Sequence, residues 1–517
     1  MSSFGSHPAQ TARASVLALA LPLILVSLQS AHAQTSVAVA TVKSATATAG
    51  KTVAAGATGV SATTITAAAT TTAPAASTFG TYRTPFAANS LWNSRPKNPT
   101  FGTFVIPKSS YYPSISSTVF STGAFESKPT DPPMTVGGLP TDPGLWDPDA
   151  ETYRAPIVIP HWPADVVPAV GGDGHADIID AANNKIHSFW KLQKIDGKWV
   201  AKSYAWTPLT GTGWSNPSHY FQGVRAAAVP VIGGLIRKHE VNDGKTIYNH
   251  ALALSLTFNA LAPNPAYIWP ATSADQYAST RNYGQIPEGA LLMLPSTYDT
   301  SKIANPQLKK IADTLKVYGA YVIDQNVGTP FSIYAEIGSG IDLHKGSWDN
   351  AVAAELDKMR AALRQVTATT YIDGNGKEFA PMAESMKQNP LSMRGKWTLR
   401  SGPALGTFNT HDQFVSFPAS ATKVVQINNS NRSLGSVSWA TRKVGTTQKL
   451  TASTTGGGTL RLQLSLAGKI VFDSGELANG QSVRFVWPDA KAITVVWATS
   501  GTPGPSTVGG TLVEVAP

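Results

Sequence analysis

Hydrophobic and polar residues alternate in short stretches along the middle of the chain. This period of two predicts β-strands, because successive side chains of a strand point to opposite faces of a sheet. We predict strands at residues 176–179, 185–192, 199–206, 251–258 and 291–294. Asp196-Gly197, between the second and third of these, favours a two-residue type I′ hairpin turn.

Two segments have helical spacing instead. Leu308, Ile311 and Leu315 recur every three or four positions in residues 306–318, and Gly319 suits the left-handed position that follows a helix. A second helix is predicted over residues 350–365. A few helices therefore pack on a β-rich core.

The C-terminal residues alternate in the same way, at 460–466, 469–472, 482–487 and 492–498, with turn residues between them. This pattern is typical of a β-sandwich. We predict a mainly β protein: a β-sandwich or jelly-roll-like core domain with a few helices over residues 78–370, a linker over 371–395, and a β-sandwich accessory domain over 396–517.

The first 77 residues have a different composition. Arg13 precedes an apolar run over residues 16–26, and Ala31-His32-Ala33 has the small-x-small pattern of a signal-peptidase site. We predict a signal peptide over residues 1–33, an Ala/Thr-rich flexible linker over 34–77, and a secreted or periplasmic location. No later stretch of about 18 apolar residues occurs, so no transmembrane helix is predicted.

Charge and cysteine content restrict the function classes. The chain has 517 residues, no cysteine, and 41 Lys and Arg against 31 Asp and Glu, a formal charge of +10. Without cysteine, disulfides and thiol catalysis are excluded, so large hydrophobic cores must stabilise the fold. The positive charge favours a polyanionic partner, and we expect an anionic polysaccharide. Nucleic acid is not expected, because no dense Lys/Arg cluster or recognisable binding motif occurs.

Seven of the ten histidines lie between residues 161 and 344. Imidazole transfers protons near neutral pH, so this region is where we expect chemistry. Within it, a glycine-rich segment carries Asp173 and His175 into a predicted strand, and the His175-x-Asp177 spacing directs both side chains to one face. These residues are candidates for acid–base catalysis; the alternative is a β-turn with a hydrogen-bonded structural histidine.

A second cluster contains Arg237, Glu240 and the tripeptide Tyr248-Asn249-His250, which opens an apolar strand. In β-elimination on a uronate, Arg237 or Asn249 would neutralise the substrate carboxylate, and Tyr248 or His250 would abstract the C5 proton. The alternative is that the strand belongs to the core and the backbone satisfies His250.

Asp324 ends an apolar strand and Glu336 follows an alternating one, so either fits the pair of carboxyl groups of a glycoside hydrolase. The alternative for Asp324 is that it caps a loop. Trp190 and Trp269 are candidate sugar-stacking residues, although large aromatic side chains also fill cores.

Metal binding is the weaker hypothesis for the histidines. His175, Asp177, His187 and His250 offer ligands for zinc or calcium, but no tight metal-binding spacing is present, so we assign no metal and no other cofactor. There is also no nucleophile elbow, phosphate-binding loop or dinucleotide fingerprint. Serine-hydrolase, nucleotide-binding and redox functions are therefore disfavoured.

Residues 171–350 resemble a family of secreted bacterial proteins that has no established activity. The resemblance rests on six short motifs in this order: Asp173-Gly-His175; Gly234-Leu-Ile-Arg237 with Glu240; His250-Ala-Leu; Tyr267-Ile-Trp269-Pro270; Leu315-Lys-Val-Tyr318-Gly319; and Asp324. It implies that Asp173, His175, Glu240, His250 and Asp324 belong to one constellation. The chain departs from the pattern after Trp269-Pro270, where Ala-Thr-Ser replaces a basic or imidazole residue.

Three functions fit these features. The leading hypothesis is a secreted polysaccharide lyase that cleaves a uronate-containing polymer by β-elimination, and the first alternative is a glycoside hydrolase with paired Asp and Glu residues. The second alternative is a non-catalytic protein that binds an exopolysaccharide or a cell surface. Convergence of His175, Glu240, His250 and Asp324 in one cleft would favour an enzyme, and their dispersal would favour a binding protein.

Overall fold

The computed structural model describes residues 78–386, 389–428 and 443–517. All described residues lie in one compact unit, Pro74–Pro517. The predicted signal peptide (1–33) and Ala/Thr-rich linker (34–77) lie outside the described residues. Within the described part, no helix is long and apolar enough to cross a bilayer.

The N-terminal part of this unit contains strands β1–β18. Their bounds are β1 Arg95–Phe101, β2 Ser114–Ser116, β3 Gly123–Glu126, β4 Met134–Gly138, β5 Leu145–Asp147, β6 Thr152–Arg154, β7 Ile157–Ile159, β8 Ala176–Asp180, β9 Lys185–Trp190, β10 Gln193–Ile195, β11 Lys198–Ala201, β12 Ser203–Pro208, β13 Leu252–Thr257, β14 Leu291–Met293, β15 Ala320–Asn326, β16 Phe331–Tyr334, β17 Arg364–Ile372 and β18 Glu378–Phe379.

The helices are α1 Ala278–Arg281, α2 Pro306–Val317 and α3 Asn350–Ala362, with short 3-10 turns at Leu91–Asn93, Val231–Gly233 and Ala383–Met386. The Asn305 side chain caps α2 by accepting the backbone N–H groups of Gln307 and Leu308. Gly319 follows the helix at φ +73°, which confirms its predicted role. The second predicted helix ends three residues early, because the chain turns at Leu363 and enters β17.

A large mixed sheet forms the centre of the core, in the order β1-β17-β14-β15-β13-β16-β2, with β18 beside β17. Strands β13 and β15 run parallel to each other. All six residues of β13 are buried, because both faces of the sheet are covered. Helices α2 and α3 pack on one face through a hydrophobic cluster that includes Leu254, Val322, Leu308 and Leu356.

Two further sheets lie on the other face. The six-stranded sheet β3-β8-β9-β12-β5-β6 shares a hydrophobic cluster with the large sheet, in which Ile179 and Ile186 meet Ala253 and Tyr321. We call this the interlayer cluster. The opposite face of the six-stranded sheet packs on the four-stranded sheet β10-β11-β4-β7, for example through Ile178. The layers are therefore helices, large sheet, six-stranded sheet and four-stranded sheet.

The C-terminal part contains β19 Gly395–Lys396, β20 Thr398–Ser401, β21 Asn409–Thr410, β22 Phe414–Phe417, β23 Val425–Asn428, β24 Thr447–Thr455, β25 Thr459–Leu466, β26 Lys469–Asp473, β27 Ser482–Val486, β28 Ile493–Thr499 and β29 Ser506–Glu514. A five-stranded sheet (β20-β23-β28-β25-β26) and a four-stranded sheet (β22-β29-β24-β27) enclose one hydrophobic core. This is a β-sandwich, and the predicted mainly β fold class is confirmed.

Two segments differ in detail from the sequence-based prediction. Residues 199–206 form two strands in different sheets, β11 and β12, because the chain changes layers at Lys202. Within the predicted linker, Asn389 and Arg394 are buried. Arg394 forms a buried ion pair with Asp149, and the backbone N–H of Asn389 donates to the Tyr220 hydroxyl. This part of the segment is packed against the core domain.

Candidate active site

Asp324 reaches the space between the two larger sheets because of a β-bulge in β15. Leu254 of β13 pairs with Val322, but the next residue, Ser255, pairs with Asp324, so Ile323 is an extra residue. Strict alternation would direct Asp324 towards the helices, on the face of Val322. The bulge turns it to the interlayer face, where the Tyr334 hydroxyl donates to Asp324 Oδ2 at 3.2 Å.

Arg225 holds the same carboxylate from the other side. Its Nη1 donates to Asp324 Oδ2 at 3.1 Å and to the Phe120 carbonyl at 3.1 Å, and its guanidinium stacks over the Tyr334 ring at 4.5 Å. The side chain is buried, yet Nε and Nη2 have no hydrogen-bond partner among the described residues. Buried polar groups are normally satisfied, so two unpartnered donors on one buried side chain are unusual.

Asp275 and Glu288 lie against the same strand end. Asp275 Oδ2 accepts the backbone N–H of Gln325 at 3.1 Å, and the Asp275 N–H donates to Glu288 Oε1 at 3.2 Å. Glu288 is fully buried, and its Oε2 has no partner within the described part of the chain. Gly289 fixes this position: it has φ +86°, and a Cβ there would lie 2.1 Å from the Ile268 carbonyl oxygen.

Burial and mutual repulsion favour the protonated forms of these carboxyl groups. Burial, with the charge of Asp324, raises the pKa of Asp275 to about 7. Burial and the charges of Asp275 and Asp324 raise the pKa of Glu288 well above its usual value. Burial also raises the pKa of Asp324, although Arg225 opposes this. The site therefore combines carboxyl groups that keep a proton near neutral pH with one, Asp324, that accepts hydrogen bonds from Arg225, Tyr334 and the Gln325 N–H.

The predicted residues of the glycine-rich segment border this site. Asp177 pairs across the ladder with Ser188, on the face opposite to Ile178, and accepts hydrogen bonds from Ser188 Oγ at 2.5 Å and Thr122 Oγ1 at 2.8 Å. Burial lowers the pKa of His175 well below its usual value, and the charge of Arg225 adds to this effect. The Arg225 charge also acts on Asp177, so His175 and Asp177 face the same region.

Asp173 is half-buried, and its charge raises the pKa of both Asp275 and Asp324. Three predicted residues, Asp173, His175 and Asp324, are therefore neighbours in the fold. We call the four carboxyl groups of Asp173, Asp275, Glu288 and Asp324 the acidic cluster.

Glu240 and His250 form a separate pair at the start of β13. His250 Nε2 lies 3.2 Å from Glu240 Oε2, and His250 Nδ1–H donates to the Ala251 carbonyl at 2.8 Å. Burial disfavours charge on His250, but the Glu240 carboxylate raises its pKa above the usual value. Ser255 is the residue that pairs with Asp324, and His250 is five residues before it. Since β-strands rise about 3.3 Å per residue, His250 lies roughly 16 Å from Ser255 along the strand.

The second sequence cluster also contains Arg237, Tyr248 and Asn249, of which the first two are buried. Arg237 Nε donates to Glu336 Oε2 at 3.0 Å, and both side chains are buried. Tyr248 is buried in the cluster beneath the helices, and burial raises its pKa, which is opposite to the need of a catalytic base. Asn249 is exposed. The family resemblance implies that five residues form one constellation, but they lie in two groups. One group contains Asp173, His175 and Asp324, and the other contains Glu240 and His250.

The hypothetical metal ligands do not meet. His187 pairs with Ile178 on the opposite face of the six-stranded sheet from Asp177, and its Nδ1 lies 2.9 Å from the Tyr204 hydroxyl. In residues 78–386, 389–428 and 443–517, no group of three or more His, Cys, Asp or Glu side chains is arranged to hold a metal ion.

The two predicted stacking residues are half-buried. The Lys191 ammonium lies over the Trp190 ring at 5.0 Å. Trp269 packs against the interlayer cluster, and its Nε1 lacks a hydrogen-bond partner in the described structure.

Sequence reasoning missed Arg225, Asp275 and Glu288. All three lie outside the histidine-centred motifs, in segments joined only by tertiary contacts. A sequence signal exists for Glu288, which is the one acidic residue in an otherwise apolar run over 286–294. Asp275 and Arg225 lie in irregular segments with no distinctive spacing.

Comparisons with known proteins identify no family. No protein-family model matches the chain, and no curated protein matches its sequence. Partial structural similarity exists to the Glycosylation Associate Protein (Gap123) complex from Streptococcus agalactiae, with 16% identity, TM-score 0.16, and coverage of 24% of this chain and 41% of that one. This chain therefore spans less than half of that structure.

Two other solved structures show similarity of the same extent. TmCBM61 in complex with beta-1,4-galactotriose has 11% identity, TM-score 0.18, and coverage of 25% of this chain and 99% of that one. The enzymatically active domain of bacteriophage CBA120 tailspike protein 4 has 13% identity, TM-score 0.17, and coverage of 25% and 21%. Similarities this low carry no argument about function, and the family resemblance of residues 171–350 stays a prediction.

Proposed function

We propose that this protein is a glycoside hydrolase that acts on a polysaccharide through Asp275 and Asp324. The observation that carries the proposal is the acidic cluster, in which a carboxyl group with a pKa of about 7 lies beside one held by Arg225 and Tyr334. Glycosidases use such a pair: one carboxyl group donates a proton, and an ionised one stabilises or attacks the sugar.

The environments of the two residues suggest their roles. Asp275 is half-buried and its pKa is raised to about 7, so it suits protonation of the leaving glycosidic oxygen. Asp324 accepts hydrogen bonds from Arg225 and Tyr334, which favour its ionised form and suit a nucleophile or a base for water. Glu288 is fully buried and acts as a positioning residue by accepting the backbone N–H of Asp275.

The local charge favours an uncharged sugar at this site. The four carboxyl groups of the acidic cluster lie close enough to raise one another's pKa values, and Asp324 and Asp177 also act on Arg225, although the chain as a whole is positively charged. A uronate bound here would be repelled by any of these groups that is ionised. The expected anionic polysaccharide is therefore better suited to other surfaces of the protein than to the site of cleavage.

A uronate lyase is the second candidate. It is favoured by the two unpartnered nitrogens of Arg225, because a buried guanidinium can neutralise a substrate carboxylate. It is disfavoured by the burial of Tyr248, one of the two proposed bases. A binding protein without catalysis would require neither a buried guanidinium nor a catalytic base. Secretion or a periplasmic location is part of the same proposal and rests on residues 1–33.

The test uses the full chain, the variants Asp275→Asn and Asp324→Asn, and the control Asp196→Asn in the exposed β10–β11 turn. Neutral and acidic polysaccharides are incubated with each protein, and both new reducing ends and the ultraviolet absorbance of unsaturated uronates are followed. A hydrolase produces reducing ends without absorbance, and each active-site variant should lose about 10²–10⁴-fold in rate. Rising absorbance would establish the lyase instead. Binding without either product would establish a binding protein.

A further inference from the structure

An exposed aromatic group lies on the surface beyond the end of β15. Trp348 is 58% exposed, Tyr112 is 51% exposed and Tyr111 is 67% exposed. Val327, which follows β15, is 75% exposed. Exposing large apolar side chains in one place is unfavourable in water, and contiguous patches of this kind usually mark binding sites.

Trp348 and Tyr112 are held in a defined arrangement despite their exposure. The His344 ring stacks on Trp348 at 4.6 Å between centroids and 13° between planes. His344 Nδ1 accepts the backbone N–H of Asp349 at 3.0 Å, and Trp348 Nε1 donates to Asn350 Oδ1 at 2.8 Å. Tyr112 lies 5.5 Å from Trp348 at an interplanar angle of 58°. The two rings thus form an angled cleft that needs little further ordering to bind a ligand.

This aromatic cleft is continuous with the strand that carries Asp324. Val327 and Gly328 follow β15 directly, and the Gly328 carbonyl accepts the N–H of Tyr111 at 2.8 Å. A Cβ at Gly328 would lie 3.0 Å from the Tyr111 ring, so the loop and the ring are in close contact. Asp324 is three residues before Val327, which is about 10 Å along an extended chain.

We propose that Tyr112 and Trp348 form a subsite that binds a pyranose ring of the same polysaccharide chain that is cleaved at the acidic cluster. The identity of the ligand rests on the proposed function. Sugar C–H groups pack on aromatic faces, and the hydroxyl groups need polar partners at the rim. His344 supplies one, because its Nδ1 is an acceptor and the proton of the neutral ring is therefore on Nε2.

The composition of the rim favours a sugar over an apolar protein or lipid surface. Asn350 accepts the Trp348 indole N–H and is exposed, as are Asp342 and Lys345 on either side of His344, so polar groups adjoin the apolar area. A hydrophobic partner would leave these groups without water, whereas sugar hydroxyl groups can bind them.

The test compares Trp348→Ala and Tyr112→Ala with the control Tyr283→Ala, an aromatic residue that is 73% exposed and follows α1. Affinity for soluble polysaccharides is measured by affinity electrophoresis, and KM and kcat are measured on polymer and on a short aryl glycoside. The expected result is polymer binding about tenfold weaker in both cleft variants, equivalent to about 1.4 kcal/mol, with unchanged kinetics on the short substrate. Circular dichroism verifies that each variant is folded.

The outcomes separate this inference from the proposed function. If the wild type hydrolyses a polymer and the cleft variants match Tyr283→Ala in KM, the subsite is refuted and the hydrolase stands. If polymer binding depends on Trp348 but no bond is cleaved, the subsite stands and the hydrolase is refuted. If no polysaccharide binds to the wild type, both are refuted.

Discussion

Replacing Asp275 with asparagine should remove catalysis and stabilise the protein at neutral and alkaline pH. In the folded protein the pKa of Asp275 is about 7, compared with a usual value of 3.8, because of burial and the charge of Asp324. Between these pH values the folded state binds the proton more tightly than the unfolded state does. Stability contributed by this group is thus fully present below about pH 4, and is lost as the pH rises towards 7. Asparagine does not ionise and avoids that loss.

The size of the effect follows from the pKa difference. A rise from 3.8 to about 7 corresponds to about 4 kcal/mol, at about 1.4 kcal/mol for each pH unit. Asp275 is half-buried, so water screens part of this interaction, and we expect about 2 kcal/mol. Asparagine keeps an oxygen that can accept the Gln325 N–H, so the fold should be maintained.

The assay is thermal unfolding of wild type, Asp275→Asn and the control Asp196→Asn at pH 4, 6 and 8. A difference of about 2 kcal/mol corresponds to a rise of roughly 2–3 °C in the midpoint at pH 8 for a unit of this size, and the difference should disappear at pH 4. The control should follow the wild type at each pH. A midpoint difference that does not change with pH, or a variant less stable than the wild type at pH 8, would refute the reasoning.

Three other substitutions test the roles of individual residues. Glu288→Gln retains an acceptor for the Asp275 N–H but removes the carboxyl group whose hydrogen bond lowers the pKa of Asp275, so we expect the basic limb of the kcat–pH profile to move to higher pH while KM changes little; an unchanged profile would contradict this. Arg225→Ala leaves Asp324 without its guanidinium, so we expect a loss of activity and about 3–5 kcal/mol of stability in denaturant unfolding. Tyr248→Phe removes a hydroxyl without a partner in the described structure, so activity should be unchanged in a hydrolase assay, and a large loss would favour the lyase.

The sheet content could be predicted because it depends on local patterns. In β25, Leu460, Leu462 and Leu464 point into the sandwich core while the residues between them face outward, as period-two alternation predicts. Burial on one face of a strand leaves this alternation in the sequence. The β10–β11 hairpin was equally local, because Asp196 and Gly197 both take the positive φ that a type I′ turn requires.

The candidate site could be predicted only in part. The spacing of His175 and Asp177 placed both on one face, and the position of Asp324 at a strand end marked it as a candidate. The sequence around His250 gave no sign that this residue lies at the far end of β13, away from the other candidates. Arg225 and Asp275 lie in irregular segments, where no periodicity records which residues they will meet.

The sequence by itself thus determined where strands and helices form, because alternation, helix caps and turn residues act over a few positions. Only the tertiary structure decided which side chains share a site. The bulge at Ile323 turned Asp324 to the interlayer face, and the close packing of Gly289 under Ile268 placed Glu288 beside Asp275. Register and layer packing are set by contacts between segments far apart in the chain, and these contacts leave no periodic pattern in the sequence.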